Sequence, residues 1–116
     1  MLNTEGLNVD WLAIIDTWHE ERCGVILVSG EVVELPNRHT QPKNNFRMLS
    51  EDVDNVAGDI VSTWHSHTIK NYNLSLNDYY CFKSLPHLSH YIISIKGVAC
   101  YQAQDDKVMN LNRRDF

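Results

Sequence analysis

The chain of 116 residues is predicted to fold as one mixed α/β domain that contains β-hairpins. Short β-branched runs separated by turn residues predict the hairpins, and apolar residues at helical spacing predict the helices. A chain of this length can bury one hydrophobic core but is too short for two domains. We therefore expect a single compact domain over residues 1–116.

The first predicted element is an amphipathic helix over residues 8–20. Asn8 or Asp10 can cap its start. We expect the tryptophans of this helix to pack on a sheet. Its apolar residues recur at helical spacing and are Trp11, Ile14, Ile15 and Trp18.

Apolar and β-branched runs predict the strands. Residues 25–28 and 31–35 flank the turn signal Ser29-Gly30, which indicates a hairpin with one wetter edge. Residues 59–65 are rich in β-branched side chains and are predicted to form a central strand. The other predicted strands lie at residues 46–48, 90–95, 98–101 and 107–111.

Two further helices are predicted from their first residues. Ser50 is expected to cap a short helix with an acidic opening. Ser75 is expected to open a helix that continues to about Ser84, and Pro86 stops it.

Composition excludes several classes of function. The net charge of −5 and the lack of a basic stripe argue against a nucleic-acid partner. No apolar segment approaches the length of a membrane span. The start Met1–Gly6 lacks the basic and apolar regions of a signal peptide, and three cysteines cannot all pair within the chain. We therefore expect a protein made in, or packaged from, a cytoplasm.

The sequence is organised around His65-Ser66-His67, followed after seven residues by Ser75 and then by Asp78. Residues i and i+2 of a strand point to the same face, so both imidazoles are expected to reach one site. Asp78 lies at the third position of the next predicted helix, which is expected to bring its carboxylate back to the two imidazoles. Two histidines and one carboxylate are typical of catalytic zinc, which keeps a fourth position open. Each element alone has a plainer explanation, as ordinary histidines or as a capping box.

A zinc-activated water also needs a general base. Glu20 and Glu21 follow the first predicted helix and are both candidates, although solvated acids at a helix end are common. The residues alone leave this choice open.

The pattern Glu21-X-Cys23-Gly24, followed by the His-Ser-His and Ser-X-X-Asp stretches, closely resembles the JAMM motif of the MPN (JAB domain) metalloproteases. The resemblance extends from about residue 11 to about residue 102. It implies a curved, mostly antiparallel sheet flanked by helices. It also implies a peptidase or isopeptidase that hydrolyses an amide bond of a peptide or protein substrate.

The same resemblance assigns a role to each matching residue. Glu21 is implied as the general base, and Ser75 as a donor to the tetrahedral oxyanion. The implied Zn²⁺ ligands are His65, His67 and Asp78. Ser66 is a common filler between the ligands and needs no role.

Asn37, Pro42 and Phe46 resemble a stretch found in the JAB domains of bacteriophage tail-tip proteins, and Leu85-Pro86 before a strand fits the same group. This implies a phage tail assembly or tail-tip setting, with other phage tail proteins as possible partners. The protein would then reside in the host cytoplasm or be incorporated into the virion tail. The cysteine peptidase domain often fused to such proteins is not found in this sequence.

Thr68 departs from the family pattern, which usually has proline there, and is expected to loosen the following loop. The chain has no room for the insertions that bind ubiquitin in eukaryotic deubiquitinases. Two alternatives remain open at this point. One is a structural tail component with an MPN fold, and the other is a bacterial enzyme that processes a ubiquitin-like protein.

Other potentially reactive residues are assigned structural roles. Cys23 resembles a nucleophile but needs no such role beside a zinc site. His19 and His39 are expected to face solvent. A second zinc site could be drawn from Cys81, His87, His90 and Cys100, but their spacing is irregular. These residues are instead expected to be buried thiols and surface histidines.

Overall fold

The computed structural model describes residues 4–116, so Met1–Asn3 of the predicted domain lie outside the described residues. The strands are β1 (Cys23–Leu27), β2 (Val32–Leu35), β3 (Ile60–Ser66), β4 (Ser89–Ser94), β5 (Gly97–Gln104) and β6 (Lys107–Asp115). They form one mixed sheet in the order β2-β1-β3-β4-β5-β6. β3 and β4 are parallel, and the other neighbours are antiparallel. The α/β class is therefore confirmed.

The helices are short and connect or flank these strands. A 3₁₀ turn at Glu5–Asn8 precedes α1 (Trp11–Ile14), α2 (Ser50–Asp54) lies between β2 and β3, and α3 (Leu76–Ser84) lies between β3 and β4. Within residues 4–116, none of the helices has the length and apolar character that crossing a bilayer requires.

Most strand predictions are confirmed, with one exception. The predicted hairpins β1–β2 and β4–β5 are present, and β2 lies at an edge of the sheet as expected. Residues 46–48 are not a strand. The backbone amide of Arg47 donates to the side chain of Asn37, so this segment pairs with a side chain rather than with a neighbouring strand.

The predicted helix over residues 8–20 is wrong beyond its first turn. Ile15 adopts an extended conformation that ends α1 after Ile14. Trp11 is fully buried against Trp64, with ring centroids 5.3 Å apart, and its indole N–H donates to the carbonyl of Gly6. The apolar residues thus pack in the core without a continuous helix. The helix ends early because the chain must extend to reach β1.

The predicted caps had different outcomes. Ser50 is the first residue of α2, Leu49 is its N-cap, and no side chain caps the helix. The prediction that Ser50 caps α2 is therefore wrong. Ser75 does cap α3, in a reciprocal capping box with Asp78. The Ser-X-X-Asp spacing permits this box, whereas the residues after Ser50 offer no equivalent partner in the structure.

The sheet is covered on both faces, as its alternating side chains require. One face packs on the N-terminal segment through a core that includes Trp11, Trp64 and Tyr91. The other face packs on α3 through Phe82 and Ile92. Since His65 neighbours Trp64 along β3, its side chain lies on the α3 face. The candidate site therefore forms between this face of the sheet and the start of α3.

Candidate metal centre

Three predicted ligands converge at the C-terminal end of β3. The Nε2 atoms of His65 and His67 lie 3.1 Å from Oδ1 and Oδ2 of Asp78, respectively. All three residues are buried, and their ligand atoms lie within 4.8 Å of one another. Among residues 4–116 this is the one group of three or more histidine, cysteine or acidic side chains with that geometry.

Local structure explains the convergence. The amide of His67 donates to the carbonyl of Ile93, which continues the parallel ladder between β3 and β4 past the last residue of β3. Across the cleft, the amide of Asp78 donates to Ser75 Oγ at 3.1 Å, and the Ser75 amide donates to Asp78 Oδ2 at 3.3 Å. The strand fixes the imidazoles and the capping box fixes the carboxylate.

The tautomer of His67 suits a metal ligand. Its Nδ1 lies 3.0 Å from the carbonyl of Asn71, which can only accept, so Nδ1 carries the hydrogen. In the neutral ring, Nε2 then points a lone pair at the Asp78 carboxylate. Two acceptors facing each other require a proton or a metal cation between them. A backbone carbonyl on the far nitrogen is the common way to orient a metal-binding histidine.

His65 is held by ring stacking rather than by hydrogen bonds. Both of its ring nitrogens are buried and lack a hydrogen-bond partner, although Nε2 is close to Asp78. Phe46 stacks on the imidazole, with centroids 4.2 Å apart and planes inclined by 20°. A buried nitrogen without a partner is costly. A cation bound between His65, His67 and Asp78 would satisfy its lone pair.

The electrostatics of the three residues are coupled. Burial alone would raise the pKa of Asp78, but the contacts with His65 and His67 hold that pKa well below its usual range. Burial lowers the pKa of His65. Burial also opposes protonation of His67, yet its contact with Asp78 raises the pKa above the ordinary histidine value. The centre thus keeps an ionised carboxylate and attracts positive charge.

Glu21 lies in the same cavity as His67 and Asp78. Its side chain is buried, and burial raises its pKa to about 7, with the charge of His67 lowering the pKa and that of Asp78 raising it. Such a carboxyl group can exchange a proton near neutral pH. Glu20 is exposed and does not line this cavity.

The backbone of Glu21 is fixed on both sides by the loop after β2. Its amide donates to the carbonyl of Pro42 at 2.8 Å, and its carbonyl accepts from Nδ2 of Asn37 at 2.7 Å. The carbonyl of the next residue, Arg22, accepts the backbone amide of Ser66, and the Arg22 amide donates to Ser66 Oγ. Glu21 is therefore held in register with the histidines.

Asn37 is the hub of this loop. Its Nδ2 also donates to the carbonyl of Asn45, while its Oδ1 accepts the amides of His39 and Arg47. Together with the stacking of Phe46 on His65, the loop contacts both Glu21, the predicted base, and His65, a predicted ligand. These contacts give the Asn37, Pro42 and Phe46 spacing a physical role at the site.

Ser75 borders the same cavity as Glu21 and is exposed. Its Oγ accepts the Asp78 amide, so its own hydroxyl hydrogen is not used in that bond. The structure thus brings Glu21, His67, Ser75 and Asp78 to one cavity of about 890 Å³, with His65 fully buried at its edge.

Two contacts near the site were not foreseen. Asn71, which orients His67, belongs to a polar loop with no recognisable pattern. Thr68 was expected to loosen that loop, but its hydroxyl donates to the carbonyl of Lys43 at 2.9 Å and joins the two loops beside the centre.

Several side predictions need correction. His90 is fully buried, not on the surface, because Thr63 and the carbonyl of Leu85 bond both of its ring nitrogens. His39 is half-buried and lines the cavity, because Asn37 draws its backbone amide inward. Cys23 needs no correction: it is buried, and burial raises the pKa of its thiol to about 12, which disfavours a thiolate there.

Neither models of known protein families nor curated proteins give a match to this chain. The candidate site therefore rests on its geometry and on the motif spacing.

Proposed function

We propose that this protein is a zinc-dependent metallopeptidase or isopeptidase of the JAMM/MPN (JAB domain) type. The observation that carries the proposal is the meeting of His65, His67 and Asp78 beside a buried glutamate, Glu21, in one cavity. A three-ligand centre leaves a position open for catalysis. A site that only staples the fold has no use for a base.

The donor set fits zinc. Imidazole nitrogens and a carboxylate oxygen are common zinc ligands, and the ligand atoms of these three residues lie within 4.8 Å of one another. The unpartnered Nε2 of His65 and the Asn71-oriented Nε2 of His67 would each supply one ligand atom, and Asp78 the third. Zinc held there supplies a Lewis acid that polarises a carbonyl oxygen and acidifies a water molecule. The same donor set also suits ferrous iron, so the metal content of the purified protein must be measured for both zinc and iron.

Glu21 performs the proton transfers in this proposal. Its carboxylate accepts a proton from the attacking water as the new C–O bond forms. It then delivers that proton to the amide nitrogen as the C–N bond breaks. A pKa of about 7 suits both directions, since the group gains and loses a proton with little energetic cost near neutral pH.

Ser75 is proposed to stabilise the oxyanion. Its hydroxyl borders the cavity while its oxygen caps α3, so the cap fixes the donor before the substrate arrives. Preorganised donors stabilise charge that develops in the transition state without reorganising during the reaction.

We further propose that the protein acts in a phage tail assembly or tail tip. This setting rests on the Asn37, Pro42 and Phe46 spacing, whose members all contact the candidate site. The substrate would be a tail protein or a cell-wall peptide. A structural tail component remains the alternative if no substrate is cleaved.

The decisive experiment compares cleavage by the wild-type protein and by Glu21→Gln at equal zinc content. Both are incubated with a mixture of peptides, phage tail proteins and peptidoglycan fragments, and products are identified by mass spectrometry. We expect Glu21→Gln to bind the metal but to lose at least about 100-fold in rate, as for a general base. Glu20→Gln is the matched control and should retain activity.

Three results would contradict this function. The first is equal cleavage by Glu21→Gln and the wild type. The second is loss of activity in Glu20→Gln alone. The third is a wild-type protein that carries zinc and cleaves nothing in the mixture, which would favour the structural tail component.

A further inference from the structure

We propose that the cavity beside the metal centre is a specificity pocket for a large apolar side chain of the substrate, next to the bond that is cleaved. This inference rests on the proposed peptidase function and names the substrate class. It predicts leucine, isoleucine, valine, methionine or phenylalanine within two residues of the scissile amide.

The floor of the pocket is the α3 face of β3 and its neighbour β1. From His67 the lining continues along β3 to Thr63 and Ile60, and Val25 of β1 pairs with Thr63. At roughly 3.3 Å per residue, the apolar end of this floor at Ile60 lies about 15 Å or more from the histidine end. The hydroxyl of Thr63 bonds His90, so the floor offers no free donor there.

The apolar part of the pocket walls comes from two connecting segments. Met48 and Val53 lie between β2 and β3, on the loop and on α2, and both are half-buried. Leu85 and Leu88 lie between α3 and β4. Apolar side chains that face a cavity favour binding of an apolar group, because displacing water from their surface lowers the free energy.

The two ends of the cavity differ in polarity, so a matching ligand has one polar part and one apolar part. The carboxylates of Glu21 and Asp78 and the imidazole of His67 gather at one end. The far floor and walls are mainly apolar, although the exposed residues Ser50, Asp54 and His87 also line the cavity. A wholly apolar ligand would leave the polar end unsatisfied, and a wholly polar one would lose the apolar surface. A peptide with its amide at the centre and an apolar side chain along β3 satisfies both. The volume of about 890 Å³ is also within the usual range for ligand sites, roughly 300–1,000 Å³.

Peptide binding tests the pocket independently of catalysis. The probes are acetyl-Ala-Ala-X-Ala-Ala-amide peptides with X as leucine, alanine or aspartate, titrated into zinc-loaded Glu21→Gln protein and followed by backbone amide NMR. We expect the leucine peptide to bind at least about 10-fold more tightly than the alanine peptide, as apolar pockets discriminate. The amides of Val53 and Ile60 should shift with it.

Variants locate the binding surface. Val53→Asn, made in the Glu21→Gln background, should weaken binding of the leucine peptide at least about fivefold, since it places an amide in the apolar wall. Met48→Gln does the same from the loop before α2 and covers the case in which Val53→Asn fails to fold. Val56→Asn is the matched control, because Val56 is half-buried in the same segment but does not line the cavity, and should bind as the parent does.

The outcomes separate this inference from the proposed function. Equal binding of the leucine and alanine peptides, or leucine selectivity that survives both wall substitutions, would overturn the pocket even if the wild-type protein cleaves peptides. The reverse result is also possible, in which the wild type cleaves no peptide but binding is leucine-selective and is weakened by both wall substitutions. That result would support the pocket and overturn the peptidase function. Cleavage sites mapped in a peptide mixture should show the same apolar preference.

Discussion

Phe46 stacks on His65 in the buried edge of the candidate metal centre, with ring centroids 4.2 Å apart. The two residues are brought together by the loop after β2, which has no regular secondary structure around Phe46. Because His65 has no hydrogen-bond partner for either ring nitrogen, its ring is held by Asp78 and by ring contacts, of which the stacking with Phe46 is closer than that with Phe82. Metal affinity should therefore depend on a side chain that donates no ligand atom.

Phe46→Ala should lower zinc affinity by about 10-fold, the low end of the range for residues that orient metal ligands. Without the ring, water can reach the imidazole of His65 and the ring can rotate. Competition with a zinc chelator measures the change. Phe46→Tyr retains a ring of the same shape and is the matched control. A Phe46→Ala protein that holds zinc as tightly as the wild type would show that Phe46 does not help to orient His65.

Asn37→Asp should reduce cleavage by at least about 10-fold while zinc content is unchanged. The substitution keeps an oxygen that accepts from His39 and Arg47 but removes the donor to the carbonyl of Glu21. A base displaced by even about 1 Å loses much of its effect. The measurement is kcat at saturating peptide together with metal analysis. Gln41→Glu, in the same loop but outside the cavity, is the control, and equal kcat values for the two variants would contradict the positioning role.

Replacing Ser75 separates its two roles. Ser75→Asn keeps a good N-cap for α3 but removes the hydroxyl, so stability should stay within about 0.5 kcal/mol of the wild type while kcat falls about 100-fold. Ser75→Ala should lose about 1 kcal/mol of stability as well. Urea unfolding and peptide cleavage measure the two effects. Full activity in the folded Ser75→Asn protein would leave the residue with only its capping role.

Glu21→Gln should stabilise the metal-free protein above pH 7 and have little effect near pH 4. Burial raises the pKa of Glu21 in the folded state to about 7, from an ordinary value of 4.5. As the pH rises from 4.5 to 7, the unfolded chain releases this proton while the folded chain retains it, so the carboxyl group progressively destabilises the fold. The neutral amide avoids that cost, which we put at roughly 1–2 kcal/mol at pH 8.

Chemical denaturation of chelator-treated protein between pH 4 and pH 8 measures this difference. Glu20→Gln should show no such dependence. A stabilisation by Glu21→Gln that is equal at pH 4 and pH 8 would show that Glu21 is not buried as a neutral acid at low pH.

The candidate site could be predicted from local pattern because each of its parts has a fixed geometry. A strand places His65 and His67 on one face, and a capping box places Asp78 at the third position of α3. The choice of Glu21 over Glu20 could not be made in this way. It depends on the extended segment before β1, which tertiary hydrogen bonds from Asn37 and Pro42 hold in place.

The errors have the same physical origin. Residues 8–20 have helical spacing, but burial of Trp11 against Trp64 and the extended conformation at Ile15 end the helix after one turn. Asn71 orients His67 through its backbone carbonyl, which any residue type could provide. Contacts of this kind leave no trace in the sequence, since they depend on chain position rather than on side-chain chemistry.

The most direct test of the account is the metal content of the protein purified without chelator and offered zinc, iron and manganese. We predict about one zinc per chain, with loss of the metal in Asp78→Ala and retention in Asp59→Ala, an exposed aspartate in the same part of the chain. Zinc binding should also weaken as the pH falls, since protons compete with the metal for the ring nitrogens of His65 and His67. A folded wild-type protein that takes up no zinc, or that holds it equally after Asp78→Ala, would contradict the central claim.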